Sequence, residues 1–248
     1  MLCLIACGGS GTRLLPLTRF LNKHLCPVGQ GKLMVDMPLE FLAAHEIKEV
    51  NVITGSNHAT QIVDYIGDGE AYGFTLVKYT FQPRPAGIAD VLKRVSHKKN
   101  GEGVLLILGD NFFSDKQTAI AELLDGARGS RAVAWEYDLG SIDKASAFGQ
   151  AFRDEDGNVT QIVEKPAEPE HGRILTGLYY FPADVFELVE KLTPSARGEL
   201  EITDLLRMYH EQGRLDLELV EGQWMDLGED QSWMNFVRSR NSTTSTDS

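Results

Sequence analysis

The chain has 248 residues, enough for one large α/β domain or two small ones. Its 42% hydrophobic and 24% charged residues are typical of a soluble globular protein. A formal net charge of −12 argues against sequence-independent nucleic-acid binding, and no apolar run approaches the roughly 18–20 residues of a membrane span.

The first residues, MLCLIAC, carry no basic leader, so we expect a first strand rather than a signal peptide. On one strand, Cys3 and Cys7 would lie roughly 13 Å apart, which is too far for a disulfide. We therefore expect Cys3, Cys7 and Cys26 to be reduced and the protein to be cytoplasmic. The six histidines form no HxxxH or Cys/His cluster, which argues against a zinc site.

Apolar runs alternate with helical patterns through the first 140 residues or so. The predicted strands are LCLIAC, EVNVITG, FTLVKYTF, VLLILGD and RAVAWEYD. The predicted helices are LMVDMPLEFLAAHEI, ATQIVDYIG, GIADVLKRVSHK and TAIAELLDGA. Strands joined by single helices form βαβ units, which build a mainly parallel sheet covered on both faces. The pattern therefore predicts a three-layer α/β fold.

The second part of the chain has a different pattern. AFGQAFRDEDGNVTQIVEKP predicts a hairpin around DEDGN, and ILTGLYYFP predicts a further strand. ELEITDLLRMYHEQG predicts a helix closed by Gly213, followed by the strand LDLELVEG and a final helix near DQSWMNFVRSR. We expect a partly antiparallel addition to the parallel sheet, then a disordered tail over 239–248.

The segment GGSGTR follows the first strand directly. It is not a P-loop, because no lysine follows the glycines at the required place. It is not the dinucleotide fingerprint either, because Leu14 stands where the third glycine belongs. A loop with Gly9 and Gly11 can still bend backbone N–H groups around an anion, and Arg13 can clamp that anion. A tight turn with an exposed arginine is the alternative.

Two further features favour phosphate binding. Lys23 lies in LLPLTRFLNKHLCPVG, a long stretch that is too interrupted by proline to form one helix, and Arg19 lies in it too. Arg13, Arg19 and Lys23 thus form a local cationic cluster in an acidic chain. Asp110 ends the apolar strand VLLILGD, where open parallel sheets bind ligands, and a carboxylate there suits Mg²⁺.

Together these motifs resemble those of a known family. GGSGTRLLP with Lys23 and Pro27 resembles the signature of the sugar-1-phosphate nucleotidyltransferases. Four later stretches resemble the glucose-1-phosphate thymidylyltransferases of that family, and WMDLGE is similar to its Trp-x-Asp motif. Those stretches are QPRPAGIADV, LGDNFF, VEKPAEP and TGLYYF…PSARGELEITD. The order and spacing match from residue 1 to about residue 238.

The resemblance implies a Rossmann-like mixed, mainly parallel sheet of the nucleotide-diphospho-sugar transferase type with a small antiparallel sugar-binding lobe. It implies a single domain over 1–238, with about 1–140 mainly nucleotide-binding. About 141–238 would be mainly sugar-binding and would complete the metal site.

The resemblance also assigns site residues. The nucleotide-binding set is Ala6, Gly8, Gly9, Ser10, Gly11, Thr12, Arg13, Gln82, Pro83, Gly87 and Asp110. The sugar-phosphate set is Asn111, Gly149, Glu164, Lys165, Thr176 and Arg197. The catalytic set is Arg13, Lys23, Asp110, Lys165 and Asp226, with Mg²⁺ held by Asp110 and Asp226.

Plainer roles stay open for several of these residues. Asp226 could lie in an ordinary turn, Arg197 could be a surface residue before a helix, and Gln82 could be a polar strand terminus. Lys165 precedes Pro166, which favours an extended backbone, and could be a solvated charge. Glu201, near the start of the following helix, favours the helix dipole rather than catalysis.

The expected reaction is in-line attack by a sugar 1-phosphate on the α-phosphorus of a nucleoside triphosphate, dTTP with glucose 1-phosphate being the expected pair. A phosphate monoester with a second pKa of about 6 needs no general base, so positioning and charge neutralisation suffice. Arg13→Ala should lower turnover by at least ~100-fold.

Other readings remain. Ala6-Cys7 replaces the family's usual Leu-Ala, which leaves the base open, so a UTP- or CTP-using enzyme is the first alternative. A catalytically silent sugar-nucleotide sensor is the second, and a NAD-dependent oxidoreductase is disfavoured by Leu14. A homo-oligomer, dimer or tetramer, also stays open. The chain is shorter than the long-form thymidylyltransferases, so we do not expect their C-terminal feedback site.

Overall fold

The computed structural model describes residues 1–9, 11–55, 58–96, 101–126 and 128–242. The strands are β1 (Leu2–Cys7), β2 (Pro27–Gly29), β3 (Lys32–Leu33), β4 (Glu49–Gly55), β5 (Leu76–Gln82), β6 (Val104–Leu108), β7 (Asn111–Phe113), β8 (Ala132–Asp138), β9 (Gln150–Arg153), β10 (Val159–Val163), β11 (Arg173–Phe181), β12 (Leu215–Leu219) and β13 (Trp224–Asp226). The α-helices are α1 (Asp36–Ala44), α2 (Ala59–Ile66), α3 (Ile88–Val95), α4 (Thr118–Leu124), α5 (Val185–Leu188), α6 (Ile202–Glu211) and α7 (Asp230–Ser242).

The principal sheet has seven strands in the order β12-β8-β11-β6-β1-β4-β5, and three two-stranded sheets accompany it. Its mixed, mainly parallel character confirms the predicted α/β fold. The central strands β6, β1 and β4 are rich in valine, isoleucine and leucine, as expected of strands buried on both faces, and Val104 to Ile107 of β6 are inaccessible to solvent. The edge strands β5 and β12 are partly exposed.

The chain divides into two compact units. The phosphate-loop unit comprises Cys3–Pro85, Ile107–Lys116 and Gly222–Ser248. The hairpin unit comprises Met1–Leu2, Ala86–Leu106 and Gln117–Glu221. Each unit is therefore assembled from segments that are separated along the chain.

In the phosphate-loop unit, β1 pairs in parallel with β4, and β4 pairs in parallel with β5. Strand β13 pairs antiparallel with β7, in a register that places Asp226 opposite Asn111. A core cluster under the loop that follows β1 includes Leu14, Met34, Leu227 and Phe236. This cluster joins the C-terminal helix α7 to the start of that loop.

In the hairpin unit, β8 pairs antiparallel with β11 and in parallel with β12. The predicted hairpin is present as β9 and β10, which pair antiparallel with Gln150 opposite Val163. Helix α6 ends with Gly213 just beyond it, as predicted, since the N–H of this glycine bonds to the carbonyl of His210 at 2.8 Å.

Two local predictions need correction. The first predicted helix begins at Asp36 rather than Leu33, because Leu33 lies in β3 and its N–H bonds to the Asp36 carboxylate at 2.7 Å. Residues 239–242, assigned to the disordered tail, continue α7, and the rest of that tail lies outside the described residues. Within the described ranges, no helix is both long and apolar enough to cross a membrane.

Candidate active site

The glycine loop after β1 depends on close backbone approaches. A side chain at Gly8 would begin 2.7 Å from Oε1 of Gln82, so glycine is needed for this contact. Gly9 and Gly11 have φ values of 98° and 62°, in the region that favours glycine. The carbonyl of Gly11 accepts bonds from Thr18 Oγ1 at 2.7 Å and from Leu14 N at 3.0 Å. Ser10, predicted to bind nucleotide, lies outside the described residues.

The segment between Gly11 and the β2 strand is folded into three short 3-10 turns, at Thr12–Leu14, Leu17–Arg19 and Lys23–Leu25. The last turn is capped by Asn22, whose Oδ1 accepts from His24 N at 3.0 Å. This turn brings Lys23 back to the glycine loop, with Nζ 3.8 Å from the position of a side chain at Gly9. Lys23, one of the predicted cations, therefore lies beside the glycine loop.

Lys23 also contacts the first predicted metal ligand. Its Nζ lies 2.5 Å from Oδ2 of Asp110. Asp110 reaches this position because Gly109 lets the end of β6 pass close to β1: a side chain at Gly109 would begin 2.6 Å from Cys7 Sγ and 2.8 Å from His24 Cδ2. The N–H of Gly109 bonds to the carbonyl of Ala6 at 2.9 Å.

Asp226 joins Asp110 through backbone pairing. The N–H of Leu227 bonds to the carbonyl of Asp110 at 2.8 Å, and the N–H of Gly228 bonds to Asp226 Oδ1 at 2.8 Å. A side chain at Gly228 would begin 2.6 Å from Asp110 Oδ2 and 3.0 Å from Asp226 Oδ1. The two carboxylates therefore converge beside Gly228, where the absence of a side chain leaves room for them.

The electrostatics of the pair are unequal. Burial raises the pKa of Asp226, and the charge of Asp110 raises it further, to about 7. Burial also opposes ionisation of Asp110, but the charge and hydrogen bond of Lys23 outweigh it and lower its pKa to about 2. Burial and the Lys23 charge lower the pKa of His24 to about 3, so this imidazole is neutral.

These residues fit a divalent cation that is bound mainly through substrate. Mg²⁺ is commonly held by one or two carboxylates together with phosphate oxygens. The cradle left open at Gly228 is lined by the oxygens of Asp110 and Asp226. Within the ranges described by the structure, no three His, Cys, Asp or Glu side chains form a metal cage. The pair therefore suits a metal completed by phosphate better than a closed structural site.

Arg13 lies close to Asp226 and to Glu229. Its Nη1 is 3.5 Å from Glu229 Oε1 and 4.0 Å from Asp226 Oδ2. The side chain is 57% exposed, so its guanidinium is accessible to a ligand. Arg13, Lys23, Asp110 and Asp226 all lie in the phosphate-loop unit, where Arg13 is 4.0 Å from Asp226 and Lys23 is 2.5 Å from Asp110.

Of the predicted base-binding residues, Gln82 is buried at the end of β5, opposite Gly55 in the register, and Pro83 follows it. Gly87 lies in the hairpin unit at the start of α3, with φ of 94°. A side chain there would strike the backbone of Leu200, beginning 2.6 Å from its nitrogen. Gly87 is therefore required for the packing of α3 on this segment.

The predicted sugar-phosphate residues meet in the hairpin unit. Arg197 Nη2 lies 3.2 Å from Glu164 Oε1 and 2.8 Å from Glu201 Oε2. Lys165 Nζ lies 3.4 Å from the same Glu164 oxygen. Thr203 Oγ1 donates to the other Glu164 oxygen at 3.3 Å. Glu164 is thus surrounded by two cations and a hydroxyl, a setting suited to an anionic, hydroxylated ligand.

Other members of that set behave differently. A side chain at Gly149 would begin 2.8 Å from Thr203 Cγ2 and 3.4 Å from Glu164 Oε2, so this glycine adjoins the Glu164 group. Thr176 is buried, and its hydroxyl donates to the carbonyl of Trp135 at 2.9 Å. Asn111 lies in the phosphate-loop unit, where it donates to Asp110 Oδ1 at 3.2 Å and accepts from Trp224 Nε1 at 2.6 Å.

Comparison with known proteins now decides the family. A family model described as nucleotidyl transferase matches residues 2–242. The chain belongs to this family. The match confirms the relationship inferred from the sequence motifs, and membership of this enzyme family is consistent with the arrangement of phosphate-loop cations and carboxylates.

Curated members of the nucleotidyl transferase family align over most of the chain. A glucose-1-phosphate thymidylyltransferase from Neisseria gonorrhoeae is 37% identical over 92% of the chain, which spans 78% of that protein. The low-salt glycan biosynthesis nucleotidyltransferase Agl11 of Haloferax volcanii is 35% identical over 89% of the chain. The aligned region spans 60% of the length of Agl11.

Two solved structures superpose closely on the chain. A Bacillus anthracis protein assigned as a glucose-1-phosphate thymidylyltransferase, in complex with sucrose, gives a TM-score of 0.87 at 33% identity. The match covers 97% of this chain and 95% of that one. A UDP-glucose pyrophosphorylase with bound UDP-glucose gives a TM-score of 0.82 at 18% identity, which supports the fold alone.

One predicted backbone conformation is wrong. Lys165 was expected to be extended because it precedes Pro166, yet its φ is 47°. Positive φ in a non-glycine residue before proline costs roughly 1–3 kcal/mol and persists only where surrounding contacts impose it. Here Lys165 N bonds to the carbonyl of Phe148 at 3.2 Å, and its ammonium adjoins Glu164. The strain lies at a candidate binding residue.

Three contacts were missed by sequence reasoning. Glu229 pairs with Arg13, Thr203 bonds to Glu164, and Glu201 pairs with Arg197 rather than acting only on the helix dipole. Glu229 follows WMDLG directly and could have been suspected from that position. Glu201 lies four residues after Arg197 in the stretch PSARGELEITD and could have been suspected from that spacing. The partner of Thr203, Glu164, comes from a distant segment of the chain.

Proposed function

We propose that this protein transfers a nucleotidyl group from a nucleoside triphosphate, dTTP, to a sugar 1-phosphate, glucose 1-phosphate, releasing pyrophosphate. The observation that carries the proposal is the convergence of a glycine loop, two cations and two carboxylates in the phosphate-loop unit. The names of the curated thymidylyltransferase relatives support this choice of substrates.

In this proposal the phosphate-loop unit holds the triphosphate. Backbone N–H groups around Gly8 to Thr12 would surround the phosphates, and Arg13 and Lys23 would neutralise them. The exposure of Arg13 supports this role, since its guanidinium can reach a ligand without rearrangement of the core. Gln82 would bind the base from the end of β5.

Asp110 and Asp226 would hold Mg²⁺ in the cradle beside Gly228. Bound there, the ion would supply positive charge against the phosphate oxygens. The protein's own contribution is to keep the two carboxylates fixed by backbone hydrogen bonds and to hold Asp110 ionised through Lys23. This arrangement limits reorganisation during the reaction.

The sugar 1-phosphate would bind to the Glu164 group of the hairpin unit. Lys165 and Arg197 would neutralise its phosphate, and Glu164 would accept hydrogen bonds from sugar hydroxyls. An oxygen of that phosphate attacks the α-phosphorus, the bond to the β-phosphate breaks, and pyrophosphate leaves with the electron pair. With a second pKa of about 6 the nucleophile is already ionised at neutral pH, so no side chain has to remove a proton.

The test is a pyrophosphate-release screen. Each deoxy and ribo nucleoside triphosphate is combined with each of a panel of sugar 1-phosphates, with and without Mg²⁺. We expect the fastest release with dTTP and glucose 1-phosphate, and only with the metal. Faster release with UTP or CTP would assign a different base, and no release with any pair would favour a sugar-nucleotide sensor on the same fold.

A further inference from the structure

The segment that carries Lys23 has little regular structure of its own. Between Leu15 and Leu25 the described backbone–backbone hydrogen bonds are short i→i+3 turns, apart from one bond from Val35 N to the carbonyl of His24 at 2.8 Å, and Phe20 is 74% exposed. Such turns do not hold a side chain in place unless other elements fix them. The position of Lys23 therefore depends on contacts that the segment makes with the rest of the phosphate-loop unit.

One side chain from helix α2 supplies two such contacts. Gln61 Oε1 accepts from the backbone N–H of Asn22 at 3.0 Å. Gln61 Nε2 donates to the backbone carbonyl of Phe20 at 3.1 Å. These groups flank Leu21, which packs against the core cluster containing Leu14 and Phe236. The Gln61 amide thus pairs with the segment as a neighbouring strand would pair with residues i and i+2.

This pairing requires a primary amide. Glutamine has both a donor and an acceptor on one rigid group, whereas glutamate lacks the donor and methionine lacks both. The helix gives the amide a fixed base, since Ile62, the next residue, is fully buried. Gln61 is therefore suited to hold the backbone of this segment against the body of the unit.

These two Gln61 hydrogen bonds, called here the backbone clamp, hold the residues directly before Lys23. Asn22, whose N–H donates to Gln61, also caps the Lys23–Leu25 turn. Its Oδ1 lies 2.9 Å from His24 Nδ1. Lys23 follows, with its Nζ 2.5 Å from Asp110. A continuous series of contacts thus runs from α2 through Gln61 and Asn22 to the lysine.

We propose that Gln61 is a positioning residue for Lys23. In this role it acts by fixing the backbone on which the lysine is carried, through its bonds to Asn22 N and the Phe20 carbonyl. The inference rests on the proposed function for the role of Lys23 in turnover. The backbone clamp itself can be tested separately from that function.

The first test measures hydrogen exchange in Gln61→Met. We expect faster exchange of the Asn22, Leu25 and Cys26 amides, because the variant removes the bond to Asn22 and loosens the turn bonds that Leu25 and Cys26 make. Unchanged exchange at all three amides would overturn the inference, whatever the substrates prove to be. The control is Gln212→Met, an exposed glutamine whose Oε1 accepts from Arg214 at 3.0 Å.

The second test measures kinetics in a double-mutant cycle. Loss of two hydrogen bonds predicts about a tenfold fall in kcat for Gln61→Met. The KM for triphosphate should change less than about threefold, since the charge of Lys23 remains nearby. In a Lys23→Ala background the same substitution should change kcat less than about twofold. An equal fall in both backgrounds would show a general structural effect and overturn the proposal, and Gln212→Met should leave kcat unchanged.

Discussion

Gly228→Ala provides a direct test of the carboxylate cradle. The new methyl group would begin 2.6 Å from Asp110 Oδ2 and 3.0 Å from Asp226 Oδ1. The first distance is about 0.8 Å short of the 3.4 Å at which ordinary contact begins. The neighbours cannot move freely, because Asp110 is held by Lys23 and Asp226 by the N–H of Gly228 itself. At least one carboxylate must therefore be displaced.

The size of the effect follows from that displacement. A 1 Å misplacement of a reacting group can lower a rate by about 100-fold, so we expect kcat to fall between about 10- and 100-fold. Affinity for a divalent cation should fall by about tenfold or more, since Mg²⁺ demands near-ideal geometry. Isothermal titration with Mg²⁺ or Mn²⁺ measures the affinity, and pyrophosphate release measures turnover.

Gly55→Ala is the matched control. Among the described residues, a side chain there would meet Gly8 Cα and Gly9 N, both at 4.0 Å, so metal affinity should stay within about twofold of wild type. Thermal unfolding should confirm that both variants are folded. A folded Gly228→Ala protein with wild-type metal affinity and turnover would refute the idea that Asp110 and Asp226 share this cradle.

Three further predictions concern other parts of the two units. Arg13→Ala should lower turnover by at least ~100-fold without changing Tm, because its side chain is 57% exposed; near-normal turnover would contradict its role at the phosphates. Burial and then Asp110 raise the pKa of Asp226 to about 7, so metal affinity should fall about tenfold per pH unit below that value as protons compete. Because this pKa is raised, the folded state binds the proton more tightly than the unfolded chain does. The metal-free stability should therefore fall as pH rises from about 4 to 7. Asp226→Asn should abolish this part of both pH dependences, and measurements of metal affinity and thermal unfolding across pH 4–8 check them. Gly149→Ala should displace Thr203 or Leu175, 2.8 and 3.1 Å away, and raise KM for sugar 1-phosphate about tenfold, whereas an equal rise for triphosphate would argue against a sugar-side role.

The strands were predictable because their signal is local. EVNVITG corresponds residue for residue to β4, and the hairpin around DEDGN is formed by β9 and β10. Runs of β-branched residues and turn-forming residues act within a few positions of one another. The start of α1 was not predictable in this way. Asp36 opens the helix, and its carboxylate also accepts a hydrogen bond from the N–H of Leu33, which lies in β3.

The site residues also divide into those marked by a local sequence pattern and those placed by long-range contacts. Arg13, Lys23 and Asp110 could be proposed because each lies beside a recognisable element: a glycine loop, an irregular cationic segment and an apolar strand end. Asp226 needed the resemblance to a family, since nothing around WMDLG brings it to Asp110. The structure does so through the bond between Leu227 N and the Asp110 carbonyl.

By itself the sequence determined the element types and the α/β class, because these depend on residue spacing within a strand, a helix or a turn, and it predicted the phosphate role of the glycine loop. Only the tertiary structure decided which carboxylates converge at Gly228, that Glu229 pairs with Arg13, and that Gln61 holds the segment before Lys23. Each of those contacts joins segments far apart along the chain. Their geometry follows from backbone pairing and packing, which no local spacing encodes.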